Sequence, residues 1–256
     1  MRYAVVALIG GSVQMFDVKG RKVLVTGSTQ GIGKCIAVKF LEAGADVWIH
    51  GSKREKTERI VRETGMGCKA VWADLSDADC AETIYARTGD VDVLILNASI
   101  QYRNPWKNIT VEEFEIQMRV NLLSTLSLMQ KYVPFMESQK WGRVITIGSV
   151  QQFVPHKDMA VYAASKAGMD NLVKNIAKQV AHNNVTVNNV LPGAMATPRN
   201  AAVTEDGAYL ARVLEKIPLG RMGSADDCSG MCLLLASEEG AYITGASIRI
   251  DGGMSL

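Results

Sequence analysis

Short runs rich in β-branched residues alternate along this chain with longer stretches whose apolar residues recur every three to four positions. The short runs, at 22–26, 46–50, 68–72, 91–96, 143–147, 185–190 and 247–250, predict strands. The periodic stretches, at 32–42, 53–64, 77–88, 111–137, 160–182 and 225–237, predict helices. Runs such as VDVLIL and RVITIG are almost uninterrupted apolar sequence, which is how strands covered on both faces of a parallel sheet read. Repeated strand–helix units with short links imply an α/β fold, a Rossmann-type doubly wound parallel sheet. Its ligands are expected beyond the carboxyl ends of the strands. Two stretches break the rhythm, 151–159 and 194–218. Both follow strand ends, which places them to shape a substrate pocket, and long loops of this kind serve as lids.

A chain of 256 residues that is 48% hydrophobic can bury one sizeable core. With no internal repeat and no Pro/Gly-rich linker, a single catalytic domain is expected over 16–256, behind a tail of uncertain role at 1–15. The apolar run 3–9 in that tail is too short to span a bilayer, and no small-residue cleavage site follows it. Net charge is +2 and the charges are scattered, so nothing draws the chain toward nucleic acid. Five irregularly spaced cysteines argue against a disulfide framework and for a reducing, cytoplasmic setting. Cys228 and Cys232 sit in an apolar helical stretch far from the three histidines, and read as packing rather than metal ligands.

The first strand runs directly into Gly27-Ser28-Thr29-Gln30-Gly31-Ile32-Gly33 and then a helix. Such a turn lets backbone N–H groups approach a pyrophosphate at a helix N-terminus, where the partial positive charge favours it. A site for NAD would carry an acid about 20 residues further on, at the end of the second strand. Here the sequence reads His50-Gly51-Ser52-Lys53-Arg54. Ser52, Lys53 and Arg54 are candidates to hold a 2′-phosphate, which points to NADP with NAD as the alternative; Lys53 and Arg54 also read as solvated residues opening a surface helix. Asp74, with Leu75 behind the third strand, either meets the adenine amino group or caps a turn. Asn97 and Ala98 close the fourth strand beside the expected adenosine ribose.

Ser149 ends a predicted strand, and Tyr162-Ala163-Ala164-Ser165-Lys166 follows on a predicted helix. Residues four apart share a helix face, so the phenol and the ammonium lie together. Tyrosine ordinarily titrates at about 10, and a neighbouring cation favours its phenolate, bringing proton transfer within reach of neutral pH. Ser149 is placed to hydrogen-bond the substrate oxygen where charge develops. Asn121 would face the same cleft if its helix crosses behind Lys166, where it could hold a proton-relaying water.

Taken in this order, these residues resemble the short-chain dehydrogenase/reductase family over about 16–253. The likeness rests on T-G-x-x-x-G-I-G at 26–33, Asp74, Asn97-Ala98, Asn121, Ser149, Tyr162-x-x-x-Lys166, Pro192-Gly193 with Thr197, and Asp251-Gly252-Gly253. It implies a catalytic tetrad of Asn121, Ser149, Tyr162 and Lys166, with Tyr162 and Lys166 also touching the cofactor. It further implies nicotinamide contacts from Thr197 and the backbone near Ala194, and a homotetramer built on the two long helices and the last strand. The family's usual Asn-Asn-Ala-Gly is Leu96-Asn97-Ala98-Ser99 here, which adds a side chain beside the cofactor.

A narrower likeness joins 100–105 and 148–152 to the gluconate and deoxygluconate dehydrogenase branch. It suggests a sugar acid or polyol as the small-molecule substrate. Arg103 would then clamp a carboxylate, with Gln151 or His156 bonding hydroxyls; Arg103 also reads as an ordinary exposed loop residue. The segment 217–221 recurs in 3-oxoacyl-[acyl-carrier-protein] reductases as well, and so does not discriminate. A sensing or scaffold module that has lost activity is the non-enzyme alternative, and the intact Ser149, Tyr162 and Lys166 argue against it.

Overall fold

The computed structural model describes residues 15–256, so all but Met15 of the expected tail lies outside the described residues. Seven strands form one wholly parallel sheet in the order β3-β2-β1-β4-β5-β6-β7. They are β1 (Lys22–Val25), β2 (Asp46–Gly51), β3 (Lys69–Trp72), β4 (Val93–Leu96), β5 (Gly142–Ile147), β6 (Val185–Pro192) and β7 (Ser247–Ile250). Every strand expected from the pattern is present, with ends shifted by a residue or two.

The alternation along the strands explains why both faces are covered. Val25, Val47, Val93 and Ile145 point to one core, where α1 (Gly31–Glu42) and α9 (Asp226–Ala236) bring Ile36, Phe40, Cys232 and Leu235. Their neighbours Leu24, Leu94, Val144 and Val187 point to the other. That second core is closed by α3 (Cys80–Thr88), α5 (Ser124–Ser138) and α6 (Ala160–Val180) through Ile84, Leu128, Tyr132 and Val173. Cys228 and Cys232 are both buried in α9. The chain winds outward from β1 through β2, by way of α2 (Arg54–Thr64), to β3, then crosses back to β4 on the far side of β1. Connections therefore diverge between β1 and β4, and a crevice opens at their carboxyl ends.

Three departures from the pattern have local causes. The helix expected over 111–137 is interrupted: α4 (Val111–Met118) passes into a π turn at Arg119–Leu123 before α5 begins. The buried amide of Asn121 sits in that turn and bonds to the backbone of Ile100, a partner outside the helix. The third helix starts at Cys80 rather than 77. Asp74 organises the preceding turn, its Oδ1 accepting from Ser76 N at 2.9 Å and Ser76 Oγ at 2.7 Å. The partly periodic stretch after β6 folds into a turn at Pro198–Asn200 followed by α7 (Ala201–Glu205) and α8 (Gly207–Leu214). Among the described residues, no helix is long and apolar enough to cross a membrane.

Candidate active site

One cleft of about 530 Å³ lies over the carboxyl ends of the strands, lined by the glycine-rich turn, the ends of β2 to β6 and the helical segment after β6. That volume lies within the span typical of small-molecule and cofactor sites.

The glycine-rich turn packs against the end of β4. Gly27 takes φ +61°, and a Cβ there would come within 2.8 Å of Ala98 Cα. A Cβ on Gly33 would run into Asn97 Nδ2 and within 2.6 Å of the Gly27 carbonyl. Asn97 fastens this contact, Nδ2 donating to the carbonyls of Thr26 at 2.9 Å and Gly27 at 3.0 Å. Gly27, Thr29, Gln30, Gly31 and Ile32 face the cleft, and no side chain caps the start of α1, so its first N–H groups remain for a ligand. Ser28 does not face the cleft. It is fully buried, its Oγ donating to Val25 O at 2.6 Å and accepting from His50 N at 3.0 Å, and so ties the turn to β2. Gly33 likewise belongs to the packing behind the wall.

His50 makes a second tie, which the sequence reading passed over. Its Nδ1 accepts the N–H of Gly27 at 3.1 Å, so Nε2 carries the proton and donates to Ala73 O at 3.2 Å. Burial lowers its pKa to about 4, keeping the ring neutral. At this end the cleft is lined by Ser52, Asp74 and Leu75, as expected, and also by Lys56, whose Nζ donates to Gln30 Oε1 at 2.7 Å. Lys53 and Arg54 do not line it, which corrects the sequence expectation. Arg54 is paired with Glu58 at 2.8 Å along α2 and lies over the Trp72 ring at 5.1 Å, while Lys53 caps that helix through its backbone. The basic residue facing the cleft is one helical turn further on, where no motif marks it.

The chemical end is built by β5 and α6. Tyr162 is 6% exposed and lines the cleft together with Ser149. Lys166 is 1% exposed, its Nζ 5.8 Å from the centre of the Tyr162 ring and donating to Ile147 O at 2.7 Å. One strand end therefore places both the serine and the carbonyl that orients the lysine. Burial, and secondarily the charge of Arg199, lowers the Lys166 pKa to about 7. Ser149 Oγ accepts from Gln151 N at 3.2 Å, which leaves its own hydrogen to donate.

Asn121 is wholly buried and does not line the cleft. Its Oδ1 accepts from Ile100 N at 2.9 Å, and its Nδ2 donates to Ile100 O at 3.0 Å and Ser165 Oγ at 3.1 Å. Both amide hydrogens are spent on bracing the segment after β4 against α6, so the side chain has none left to donate to a relay water.

Pro192, Gly193, Ala194 and Thr197 line the wall beyond β6, as the motifs predict. Gln151, Arg103 and His156 stand at the mouth, joined by Lys216 from the lid, which sequence reasoning missed. Burial lowers the His156 pKa, the charges of Arg103, Lys157 and Lys216 lower it further, and that of Asp158 opposes them. Ser99 and Arg199 also line the cleft and are bonded to each other.

A crevice at the switch of a doubly wound sheet, with a glycine-rich turn at one end and a Ser–Tyr–Lys group at the other, defines a dinucleotide-dependent oxidoreductase. A family profile described as "Enoyl-(Acyl carrier protein) reductase" matches residues 27–255, and the chain belongs to the short-chain dehydrogenase/reductase family, whose members are NAD(P)-dependent enzymes acting on CH–OH or carbonyl groups. It is 33% identical to 3β-hydroxysteroid dehydrogenase 1 of Eggerthella lenta over 94% of this chain and 95% of that one. A 3-oxoacyl-(acyl-carrier-protein) reductase from Agrobacterium tumefaciens, solved with NADP bound, superposes with a TM-score of 0.89. It shares 35% identity over 96% of this chain and 100% of that one. A candidate NAD(P)-dependent gluconate 5-dehydrogenase from Beutenbergia cavernae, also carrying NADP, gives 0.87 at 33% identity over 93% and 98%.

Proposed function

We propose that this enzyme interconverts a secondary alcohol and a ketone on a sugar acid or polyol such as gluconate and keto-gluconate, with NADP(H) as its cofactor. The observation that carries the reading is that Tyr162 and Ser149 line one cleft, with Lys166 buried and bonded to the Ile147 carbonyl. The fit of the dinucleotide rests on the glycine-rich turn, which any side chain at Gly27 or Gly33 would push away from Ala98 and Asn97.

When bound, the nicotinamide supplies or accepts the hydride. Tyr162 Oη gives its proton to the carbonyl oxygen in reduction and takes it back in oxidation. Ser149 Oγ donates to the same oxygen and steadies its developing charge. Lys166, fixed by one N–H to Ile147, would present its remaining N–H groups to the cofactor ribose and its charge to the tyrosine. The Asn121 side chain braces this wall, while its backbone carbonyl accepts from Thr125 Oγ1 at 3.1 Å. Ser52 and Lys56 would hold the 2′-phosphate by charge-assisted hydrogen bonds, and Asp74 would receive the adenine amino group.

The substrate class rests on the mouth, where Arg103 and Lys216 would take a carboxylate and Gln151 and His156 the hydroxyls. A 3-oxoacyl-[acyl-carrier-protein] reductase is the second reading. It is favoured by the basic side chains of Arg103 and Lys216 on the cleft, which suit an acidic carrier. The sensing or scaffold alternative has no residue to rest on, because Ser149, Tyr162 and Lys166 are all in place. A spectrophotometric screen of sugar acids, polyols and oxoacyl thioesters with both cofactors tests the assignment. Turnover of a keto-gluconate with NADPH is expected, and a clear preference for the thioester would replace it by the second reading. We assign the enzyme to the cytoplasm as a homotetramer. Val111, Phe114 and Leu123, exposed on α4 and the π turn, are candidates for its contact surface, and light scattering after gel filtration checks the mass.

A further inference from the structure

Arg199 reaches across the mouth of the nucleotide groove. Its Nη2 donates to Ser99 O at 2.6 Å and its Nη1 to Ser99 Oγ at 2.9 Å, although the two residues are a hundred positions apart. Ser99 belongs to the loop after β4, and Arg199 to the turn Pro198–Asn200 that opens the lid. The turn is itself anchored, with Asn200 Nδ2 donating to Met195 O at 2.9 Å and Asn200 N to Thr197 O at 2.8 Å. Its other edge faces the glycine-rich turn: a Cβ on Gly31 would lie 3.7 Å from Thr197 Cβ. Residues 197–199 therefore span the groove from Gly31, at the start of α1, to Ser99.

The position also accounts for Ser99, which stands where the family resemblance leads one to expect glycine. Its side chain points to the guanidinium and supplies a second acceptor beside the carbonyl. A guanidinium has five N–H groups, and the two bonds to Ser99 leave others to donate into the groove. Among the other cation-capable side chains lining the cleft, Lys56 is bonded to Gln30 at the adenosine end, His50 is buried and neutral, and Arg103, His156 and Lys216 stand at the substrate mouth. Arg199 is the cation opposite the glycine-rich turn. Its charge reaches Lys166, whose pKa it helps to lower.

We propose that Arg199 is a cofactor-binding residue that straps the lid over the dinucleotide, staying anchored on Ser99 while its free N–H groups pair with the pyrophosphate. The proposal rests on reading the cleft as a dinucleotide site. Because the pyrophosphate is common to both nicotinamide cofactors, the strap acts on NADPH and NADH alike.

The test is direct binding to the substrate-free enzyme, following NADPH and NADH fluorescence at low and high salt, for wild type, Arg199→Ala, Arg199→Lys, Ser99→Gly and the double variant. Losing a charge-assisted pair predicts a rise in Kd on the order of tenfold for Arg199→Ala with each cofactor, shrinking as salt is added. Arg199→Lys recovers part of it. Ser99→Gly loosens binding less, and adds nothing once Arg199 is gone, since the two act as one unit. Melting temperatures without cofactor should not fall, because the pair lies at the surface; a large drop in one would mark a structural role and count against the strap. Cofactor affinity in Arg199→Ala equal to wild type, or independent additive effects of the two substitutions, overturns the proposal. A wild type that prefers NADH would overturn the NADP assignment and leave the strap standing.

Discussion

The backbone N–H of Gly27 donates to Nδ1 of His50 over 3.1 Å, and the far side of the same ring donates to Ala73. A single neutral imidazole thus joins the glycine-rich turn to the loop that carries Asp74, the two walls of the adenosine pocket. Replacing His50 with Ala leaves the Gly27 donor without its acceptor, which costs about 1–3 kcal/mol for a buried group. The expected result is a lower melting temperature and a several-fold weaker NADPH complex by fluorescence titration. Unaltered cofactor affinity would show the tie to be dispensable.

The same ring makes a pH prediction. Its folded pKa, about 4, is depressed from the ordinary 6.5. The unfolded chain therefore binds the proton first as pH falls, and the ring's contribution to stability, complete above 6.5, is lost as pH drops through 4. His50→Gln should flatten the acid limb of the melting curve between those values. Parallel wild-type and variant curves would refute the assignment of a buried neutral ring.

Tyr162→Phe removes only the hydroxyl. With Ser149 and Lys166 in place, NADPH should bind as before while kcat falls by about 10²–10⁴, the range for losing a positioned acid. Substantial turnover in this variant would falsify Tyr162 as the proton donor.

How far the sequence anticipated the molecule depends on whether a residue announces itself locally. The central strands β4 and β5 were legible because they are buried along their whole length and mostly apolar, and the edge strands β3 and β7 because short runs between turn signals mark them. Tyr162, Lys166 and Ser149 were legible because helix periodicity and a strand end define their relative placement. Lys56, Lys216 and Arg199 were not, since a lone cation on a helix or loop looks like solvated surface until the fold brings it to a cleft. Lys53 and Arg54 misled for the complementary reason: proximity to the end of β2 in sequence does not decide which turn of α2 faces the groove. Asn121 shows the same limit, because its partners on Ile100 and Ser165 lie 21 and 44 positions away.

That difference on α2 can be measured. Lys56→Glu places a negative charge beside Ser52 and should weaken NADPH by tenfold or more while sparing NADH, which has no 2′-phosphate. Lys53→Ala and Arg54→Ala should each change the NADPH Kd by less than about twofold, as exposed charges outside the cleft do. If Arg54→Ala proves the damaging substitution, the phosphate sits nearer the start of α2 than the structure places Lys56.

Lys166 gives the last prediction, and its sign is opposite to that of an ordinary ion-paired lysine. Burial, with Arg199 second, takes its pKa from 10.5 down to about 7 in the folded enzyme. Below 7 the group is charged both folded and unfolded, and the fold bears the full penalty of a buried ammonium. As pH rises from 7 toward 10.5, the folded form sheds the proton that the unfolded chain still holds, so stability without cofactor should increase across that window. Lys166→Met, similar in length and uncharged, should be more stable than wild type at pH 6 and lose the excess by pH 10, with activity abolished throughout. Arg199→Ala, which removes the neighbouring cation, should shift the onset of the wild-type rise to higher pH. Thermal melts of the three proteins over this range decide it, and coincident slopes for wild type and Lys166→Met would mean that the ammonium is not desolvated in the enzyme as it stands in solution.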